Sequence, residues 1–470
     1  MPKPDCGHCS PETRCLLDVN VDQSGLKRVR SEGQINEKKR KWIEKLHKSC
    51  SDTDKQQPCL FGNIMDLGNG EATCYVHGRK KKCKIPSVDI LLCCTSCKEF
   101  SLYYNKPQKP VNDKANSSTS AQTFAGLLAY MEAYRPGILL FENVDTMDSV
   151  QVGDNNIEFN NMDLACAEWA ARGYETQRCH VNSNHFGVPQ NRRRLVVVAV
   201  LTVANPSVCF QEREVSVVFA TLRALLKTCA RTSECLKQFL LPHDSVEVTQ
   251  EHDKRAQVGP KMTTYNMAAA SRTSASLGVS WNTVCNVPEH LKQSDWFATL
   301  TPEQRDVLSF SVHFQGESVM LRDCSQSVGR TRVSVFDEGT EKHIAPTVTP
   351  GQLMMLFDED ETPRLLLGRE ALWLQGFPIL EKSVAPVLED ESESFLTDLA
   401  GNMVSTPVLL ALLLSTMSAL SWRQEGTPVT TVDCRALAES ALALCNSRST
   451  KTTEPKNKGI FRVLRNLEKR

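Results

Sequence analysis

Cys97 is the residue of this sequence best placed for covalent chemistry, because its thiol follows closely after a short apolar run. That run, residues 89–94, comes after the turn-forming residues Pro86 and Ser87 and predicts a buried central strand. The loop after the strand would lie at its carboxyl end, the edge at which open α/β sheets bind ligands. A thiol there is a candidate nucleophile, although a cysteine after an apolar strand is more often a small buried hydrophobic residue.

Glu142 and Asn143 occupy the equivalent position in the next apolar run, residues 138–144. Between the two runs, apolar residues recur at helical spacing and predict an amphipathic helix that ends at Arg135. They are Phe124, Leu127, Leu128, Met131 and Tyr134. A strand, a helix and a second strand in this order form a right-handed crossover with parallel strands. Glu142 and Asn143 should therefore emerge at the same edge as Cys97.

Gln190, Arg192 and Arg194 form a third polar group, at the entry to the predicted strand of residues 194–201. Their position beside the compact turn of residues 186–189 favours recognition of an anion or a carbonyl group. The alternative is that these arginines are ordinary solvated charges.

The composition indicates a soluble globular protein, with 41% hydrophobic and 23% charged residues. Lys+Arg and Asp+Glu balance at 55 each, so the net charge does not indicate a nucleic-acid partner. No leader sequence is recognisable and the longest apolar stretch, residues 408–414, is too short for a bilayer, so no membrane association is expected.

The 19 cysteines suggest reduced thiols. Cys6, Cys9 and Cys15 have the spacing of half a zinc site, but no second close pair accompanies them, and no metal site is expected.

The chain divides by pattern into a catalytic α/β domain interrupted by an insertion. The alternation of strands and helices fails after about residue 204, where tryptophans and basic residues mix, and it returns near residue 343. The predicted segments are an irregular start (1–30), the first part of the catalytic domain (31–204), the insertion (205–342), the closing part (343–425) with an apolar helix from Val408 to Leu420, and a basic tail (426–470).

Taken in order, these motifs resemble those of the DNA (cytosine-5)-methyltransferase family. They are Ser96-Cys97, Glu142-Asn143-Val144, Gln190-x-Arg192-x-Arg194 and the later Gly401-Asn402, read as a turn. The match covers roughly residues 60–200 and 345–420. The resemblance implies a Rossmann-like class I methyltransferase sheet with helices on both faces, an inserted target-recognition domain, and S-adenosyl-L-methionine as the cofactor.

The chemistry of the family explains why these residue types occur together. Carbon 5 of cytosine is too electron-poor to accept a methyl group until a nucleophile adds at carbon 6, and a thiolate such as that of Cys97 does this best. Glu142 would share a proton with ring nitrogen 3, and Arg192 and Arg194 would hold the carbonyl oxygen. Asn143 more plausibly braces the loops than reacts. A base in a duplex must be flipped out to reach such a site.

The sequence departs from the family pattern mainly on the cofactor side. Ser96 replaces the usual proline, and no glycine-rich loop occurs in residues 1–30. Gln34 occupies the place of a ribose-binding glutamate, and Asn63-Ile64 that of an Asp-Ile pair beside the adenine. Gly401 and Asn402 complete the expected cofactor contacts. Without the loop, we expect weak binding of S-adenosyl-L-methionine.

The leading hypothesis is a DNA cytosine methyltransferase acting on double-stranded DNA. The alternative is a catalytically impaired family member that binds DNA or regulates a partner. An RNA substrate is less expected, because the insertion is long and lacks the Cys-Phe-Thr element of the tRNA-modifying branch. We expect the protein in the nucleus if the source is eukaryotic, and otherwise in the cytoplasm.

Overall fold

A computed structural model describes residues 41, 45 and most of 59–422. The gaps are residues 75–76, 78–81, 102–107, 114, 154–155, 203–209, 212–213, 261–266, 282–288, 316–319, 328–331, 359–360 and 383. The predicted irregular start, the predicted basic tail, Gln34 and the three amino-terminal cysteines therefore lie outside the described residues.

The strands, numbered along the chain, are β1 (Glu71–Thr73), β2 (Lys82–Lys84), β3 (Ile90–Cys94), β4 (Ile138–Val144), β5 (Val150–Val152), β6 (Glu158–Asn160), β7 (Tyr174–Asn182), β8 (Gln190–Asn191), β9 (Arg193–Leu201), β10 (Phe210–Gln211), β11 (Leu321–Asp323), β12 (Val335–Asp337), β13 (Lys342–Pro346), β14 (Met354–Asp358), β15 (Glu361–Leu365) and β16 (Ser421–Trp422). The α-helices are Thr119–Tyr134, Asn161–Ala170, Val215–Thr228, Val246–Val258, Met267–Ser276, Glu289–Lys292, Asp295–Ala298, Pro302–Gln315, Gly368–Trp373, Ala385–Glu389, Glu393–Asn402 and Thr406–Ala419.

The chain separates into two compact units. Unit 1 comprises Met1–Val181, Arg193–Ala230 and Leu409–Arg470, and unit 2 comprises Asn182–Arg192 and Arg231–Val408.

Unit 1 is built on a four-stranded sheet in the order β3-β4-β9-β7. β3 and β4 are parallel, and β4 and β9 are antiparallel. This arrangement confirms the predicted α/β class and the parallel pair joined by a helix. Residues 89–94 were predicted to form a buried central strand, and this is wrong for the sheet as described. Among the described strands β3 lies at one end and its first three residues are only partly buried, whereas β4 is buried along almost its whole length.

The helix Thr119–Tyr134 connects β3 to β4, as the apolar spacing predicts. The side chain of Ser118 caps its first turn by accepting a hydrogen bond from the Ala121 amide. Arg135 ends the helix in the left-handed conformation, with φ of 47°, directly before a proline and a glycine. The buried face of this helix packs into a core around Phe141 and Trp169, whose rings meet edge to face with their centroids 5.2 Å apart.

Before β3, unit 1 contains a hairpin and a short apolar cluster. β1 and β2 pair antiparallel, and Phe61 forms an isolated bridge with Cys74 at the end of β1. A 3-10 helix, Ile64–Asp66, follows Phe61 and rests on the helix Thr119–Tyr134 at Gly126.

Unit 2 contains two three-stranded sheets, β11-β14-β15 and β12-β13-β8, with short helices around them. A bidentate ion pair lies in its interior: both guanidinium NH2 groups of Arg364 donate to the carboxylate of Glu370, at 2.7 and 2.9 Å, and neither side chain is exposed. Paired in this way, the two charges remain compatible with burial.

Residues 343–408 lie in unit 2, although the sequence analysis placed them in the catalytic domain. The strands explain this difference, because β14 pairs with β11 and β13 pairs with β12, and both partners come from the predicted insertion. The assignment of functions to these segments stays a prediction.

The Gly401-Asn402 pair was predicted to form a turn, and this prediction is wrong. Both residues lie in the last turn of the helix Glu393–Asn402, where the Asn402 side-chain amide donates to the Asp398 carbonyl at 2.9 Å. The glycine is required for close approach instead: a Cβ atom on Gly401 would lie 2.2 Å from the backbone nitrogen of Pro350.

The apolar helix predicted from Val408 to Leu420 is confirmed as Thr406–Ala419. Within the described residues, the stretch Glu393–Ala419 has the length and the mean hydropathy, 1.6, of a membrane-crossing helix, which core helices of soluble proteins can also have. The stretch contains the two separate helices Glu393–Asn402 and Thr406–Ala419. The expectation of no membrane association stays a prediction.

Candidate active site

Cys97 lies in the loop directly after β3, where the sequence places it. Of the eleven cysteines that the structure describes, it is the exposed one; the others are buried or half-buried. Its backbone, with φ of −94° and ψ of 5°, lies in the sparsely populated bridge region in which many active-site residues occur. The thiol is therefore accessible to a substrate, and the reading of Cys97 as a small buried residue is excluded.

The start of the Cys97 loop is fixed by Asn143 at the end of β4. The Asn143 side-chain amide donates to the Thr95 carbonyl at 3.3 Å and to the Thr95 hydroxyl at 3.1 Å. Its carbonyl oxygen accepts the Val144 amide at 2.8 Å. Since Asn143 is only 1% exposed, its orientation is set by these bonds, and it braces the loop two residues before the thiol.

The residues on both sides of Cys97 are held by the helix Thr119–Tyr134. The Ser96 amide, in a residue that is itself buried, donates to the Thr123 hydroxyl at 3.0 Å. The carboxylate of Glu99 accepts hydrogen bonds from the amide and the hydroxyl of Ser120. The structure thus holds the nucleophile candidate on a rigid loop, as a precise covalent step requires. The sequence analysis missed this support, although the serine-rich start of the helix was visible as a capping signal.

Glu142 and Arg194 form an ion pair beside this loop. The Arg194 Nε lies 3.0 Å from the Glu142 Oε1, and the side chains are 15% and 11% exposed. The strand register produces the pair: Glu142 is opposite Val196 and Arg194 is opposite Val144, which makes the two charges diagonal neighbours on one face of the sheet.

The same sheet places the carboxylate next to the start of the Cys97 loop, because Cys94 is opposite Glu142 in the parallel pairing of β3 and β4. Unit 1 thus brings together Cys97, Glu142, Asn143 and Arg194 at one edge of the sheet. A thiol, a largely buried carboxyl group and a fixed guanidinium are the groups needed to add a nucleophile to an electron-poor ring and to stabilise the resulting charge.

Gln190 and Arg192 belong to unit 2 and are buried there. The terminal nitrogens of Arg192, a residue that is 3% exposed, donate to the carbonyls of Val348, Gly401 and Met403 at 3.0, 3.3 and 2.7 Å. These bonds favour a role in positioning the backbone that precedes β9, and a contact with a substrate stays a prediction.

Gln190 links its strand to a later segment of unit 2. Its side-chain oxygen accepts a hydrogen bond from Gln375 at 2.9 Å, and neither glutamine is exposed. The pair joins the motif that precedes β9 to the Gln-Gly-Phe-Pro segment after the helix Gly368–Trp373.

The predicted cofactor residues lie in separate places. The Asn63 side chain caps the 3-10 helix Ile64–Asp66 by accepting the Met65 amide at 3.1 Å. Ile64 is half-buried and packs against the apolar core of unit 1. Gly401 and Asn402 lie in unit 2. A role for these four residues and for Gln34 in binding the cofactor stays a prediction.

Solved structures with a similar chain course include two methyltransferases. The structure of the S. pombe Dnmt2 methyltransferase matches with a TM-score of 0.34 and 13% identity, over 70% of this chain and 76% of that chain. The structure of the Entamoeba histolytica methyltransferase EhMeth matches with a TM-score of 0.33 and 11% identity, over 80% of this chain and 94% of that chain.

Among characterised proteins, the DNA (cytosine-5-)-methyltransferase DMT5 of Cryptococcus neoformans var. grubii is 26% identical in an alignment of 394 residues that covers 78% of this chain. The chain spans only 15% of the length of that relative. A family model described as C-5 cytosine-specific DNA methylase matches residues 75–416, almost three quarters of the 470 residues. The chain belongs to the C-5 cytosine-specific DNA methylase family.

Proposed function

We propose that this protein transfers a methyl group from S-adenosyl-L-methionine to carbon 5 of cytosine in double-stranded DNA, through a covalent adduct between Cys97 and a base flipped out of the helix. The observation that carries the proposal is the shared sheet edge of unit 1, where the exposed Cys97 loop begins beside the Glu142–Arg194 pair. Family membership supports the choice of cytosine and DNA.

In the proposed first step, the Cys97 thiolate adds to carbon 6 of cytosine and the ring electrons move toward carbon 5. Glu142 supplies the proton that ring nitrogen 3 takes up, so that the adduct does not carry a full negative charge. The exposure of the thiol supports its assignment as nucleophile, and the bonds from Asn143, Thr123 and Ser120 to its loop support a fixed direction of attack.

Arg194 keeps the Glu142 side chain in one orientation and supplies positive charge at the place where the ring becomes electron-rich. Its guanidinium has further N–H donors, and one of them would hydrogen-bond to the cytosine carbonyl oxygen. After the methyl group has joined carbon 5, water takes the proton from carbon 5 and the Cys97 sulfur leaves carbon 6 as a thiolate. Ring nitrogen 3 returns its proton to Glu142, and the aromatic ring is restored. The cofactor supplies the electrophilic methyl group.

The proposed cofactor contacts in unit 1 are Asn63 and Ile64, and a role for Gly401 and Asn402 stays the prediction made from the family resemblance. Ile64 would cover one face of the adenine, and the Asn63 side chain would hydrogen-bond to its edge. The missing glycine loop also makes an impaired family member that binds DNA without turnover a second candidate.

The test is methyl incorporation from labelled cofactor by the purified chain into a cytosine-containing DNA duplex, with tRNA offered in parallel. We expect label at carbon 5 of cytosine in DNA, no label in tRNA, and complete loss of label with Cys97→Ala. Cys179→Ala is the matched control, because Cys179 is a half-buried thiol on β7 of the same unit, and its burial raises its pKa and makes it a poor nucleophile. Binding of DNA without incorporation would favour the impaired family member, and label in tRNA alone would overturn the choice of substrate.

A further inference from the structure

Four side chains at the start of unit 1 converge on one point although they come from three chain segments. The Sγ atoms of Cys59, Cys74 and Cys83 lie 3.5, 3.4 and 3.4 Å from the Nδ1 atom of His77. All four of these atoms lie within 4.8 Å of one another. Cys74 and Cys83 are buried, and Cys59 and His77 are half-buried.

Hydrogen bonding does not explain this geometry. A ring nitrogen of histidine carries either one proton or one lone pair, so it makes one good hydrogen bond and not three. Three sulfur atoms at nearly equal distance from one nitrogen are instead the arrangement of ligands around a common central atom.

The distances agree with a tetrahedral zinc ion. With zinc–sulfur bonds of about 2.3 Å and zinc–nitrogen bonds of about 2.0–2.1 Å, tetrahedral angles place a ligand sulfur about 3.5–3.6 Å from the ligand nitrogen. The observed distances between sulfur and nitrogen, 3.4–3.5 Å, are close to this value. The four atoms therefore already lie where zinc would place them.

We propose that Cys59, Cys74, His77 and Cys83 bind one structural zinc ion through three thiolates and one imidazole. Three soft thiolates and an imidazole in a tetrahedron favour zinc over magnesium, calcium or manganese, which prefer oxygen ligands. Four protein ligands leave no open position for water or a substrate, so the ion stabilises the fold and takes no part in chemistry.

The strands around the cluster show what the ion would hold together. Cys83 lies in β2, opposite Ala72 of β1, and Cys74 forms the isolated bridge to Phe61. The site would therefore tie the β1–β2 hairpin to the segment of Cys59. These residues also border a small apolar cluster with Phe61, Leu67, Ile85 and Tyr130.

The position of the cluster links it to the candidate active-site edge of unit 1. The segment that Cys59 begins continues into Asn63 and Ile64. β3, the strand before Cys97, begins seven residues after Cys83. The zinc ion would fix both segments, because metal binding by otherwise separate ligands contributes directly to folding. Removal of the ion should loosen this part of unit 1 and raise its hydrogen-exchange rate.

The first test measures the metal in the purified full chain by elemental analysis and by X-ray absorption at the zinc edge. Because cysteines outside the described residues could bind further zinc, the number that decides is the difference between variants. Cys74→Ser, Cys83→Ser and His77→Ala should each lose one zinc per chain relative to wild type, whereas the control Cys179→Ser should lose none. The difference between the wild-type and His77→Ala absorption spectra should correspond to one zinc ion with three sulfur ligands at about 2.3 Å and one nitrogen ligand at about 2.0 Å.

A second variant keeps the proposal testable if these chains fold poorly. His77→Cys converts the ligand set to four thiolates, which zinc also accepts, so it should retain the ion that His77→Ala loses. Hydrogen exchange in residues 59–74 and 82–94 should rise in wild type after chelation and fall again on adding zinc. Equal zinc content in wild type and His77→Ala, or a wild-type chain without zinc whose cysteines remain reduced, would overturn the proposal.

Discussion

The role of Asn143 in bracing the Cys97 loop gives a prediction with a calculable size. Asn143→Ala removes the two hydrogen bonds to Thr95 and the one from the Val144 amide. At about 0.5–1.5 kcal/mol for each intramolecular hydrogen bond, the loss in the free energy of unfolding is about 1.5–4.5 kcal/mol. Thr95→Val removes only the bond to the hydroxyl and should cost about 0.5–1.5 kcal/mol.

The assay is urea unfolding followed by circular dichroism, in which the midpoint and slope give the free energy of each variant. Asn112→Ala is the control, because Asn112 is exposed and its side-chain amide donates to the Glu168 carboxylate, a surface contact whose loss should cost less than about 0.5 kcal/mol. The double variant of Asn143 and Thr95 should be less destabilised than the sum of the single variants, because both remove the same bond. A displacement of the loop by about 1 Å should also slow methylation about 100-fold.

The reasoning would be refuted if Asn143→Ala were no less stable than Asn112→Ala and the double variant were additive. Asn143 would then contribute nothing through Thr95. The position of the Cys97 loop would depend on the helix contacts alone.

Three further variants test other parts of the structure. Arg194→Ala should lower kcat roughly 10²–10³-fold, because it removes a fixed hydrogen-bond donor that stabilises the charge developing on the cytosine ring. Circular dichroism should show an intact fold. An unchanged kcat would contradict the role assigned to Arg194. Gly126→Ala should lower the free energy of unfolding by up to about 2 kcal/mol, because the new Cβ atom would lie 2.9 Å from the Ile64 carbonyl oxygen. This loss would outweigh the gain of about 1 kcal/mol in helix propensity. A higher melting temperature than wild type would contradict the prediction and show that the helix can shift. Glu370→Ala should lower the free energy of unfolding in urea by about 3–5 kcal/mol, because it leaves the unexposed Arg364 without its carboxylate. A loss of less than about 1 kcal/mol, the value typical of surface ion pairs, would contradict this.

The candidate active-site edge of unit 1 was predictable because it depends on local patterns. β3 and β4 are apolar runs, and polar residues at the ends of parallel strands meet at one edge. Cys97, Glu142 and Asn143 were therefore placed correctly without knowledge of their partners. The Glu142–Arg194 ion pair needed the exact register of β4 and β9, which the sequence pattern does not give.

One wrong prediction, and two features that the sequence did not reveal, lie where distant segments meet. The Gly-Asn pair suggested a turn, but Gly401 is small because the backbone at Pro350 passes close to its helix. The cluster of Cys59, Cys74, His77 and Cys83 lacks the two closely spaced ligand pairs of a familiar zinc motif. Only the folded hairpin therefore reveals it. Arg192 and Arg194 are two residues apart, yet one is buried among carbonyls of unit 2 and the other faces Glu142 in unit 1.

The most direct test of the central claim is covalent trapping by DNA that carries 5-fluorocytosine. Fluorine at carbon 5 cannot leave as a proton does, so the adduct between the protein and carbon 6 cannot resolve after methyl transfer. We predict a crosslinked species for wild type and Cys179→Ala that resists denaturing electrophoresis, with the modified peptide containing Cys97, and none for Cys97→Ala. Equal trapping of Cys97→Ala, or a crosslink at another residue, would contradict the account.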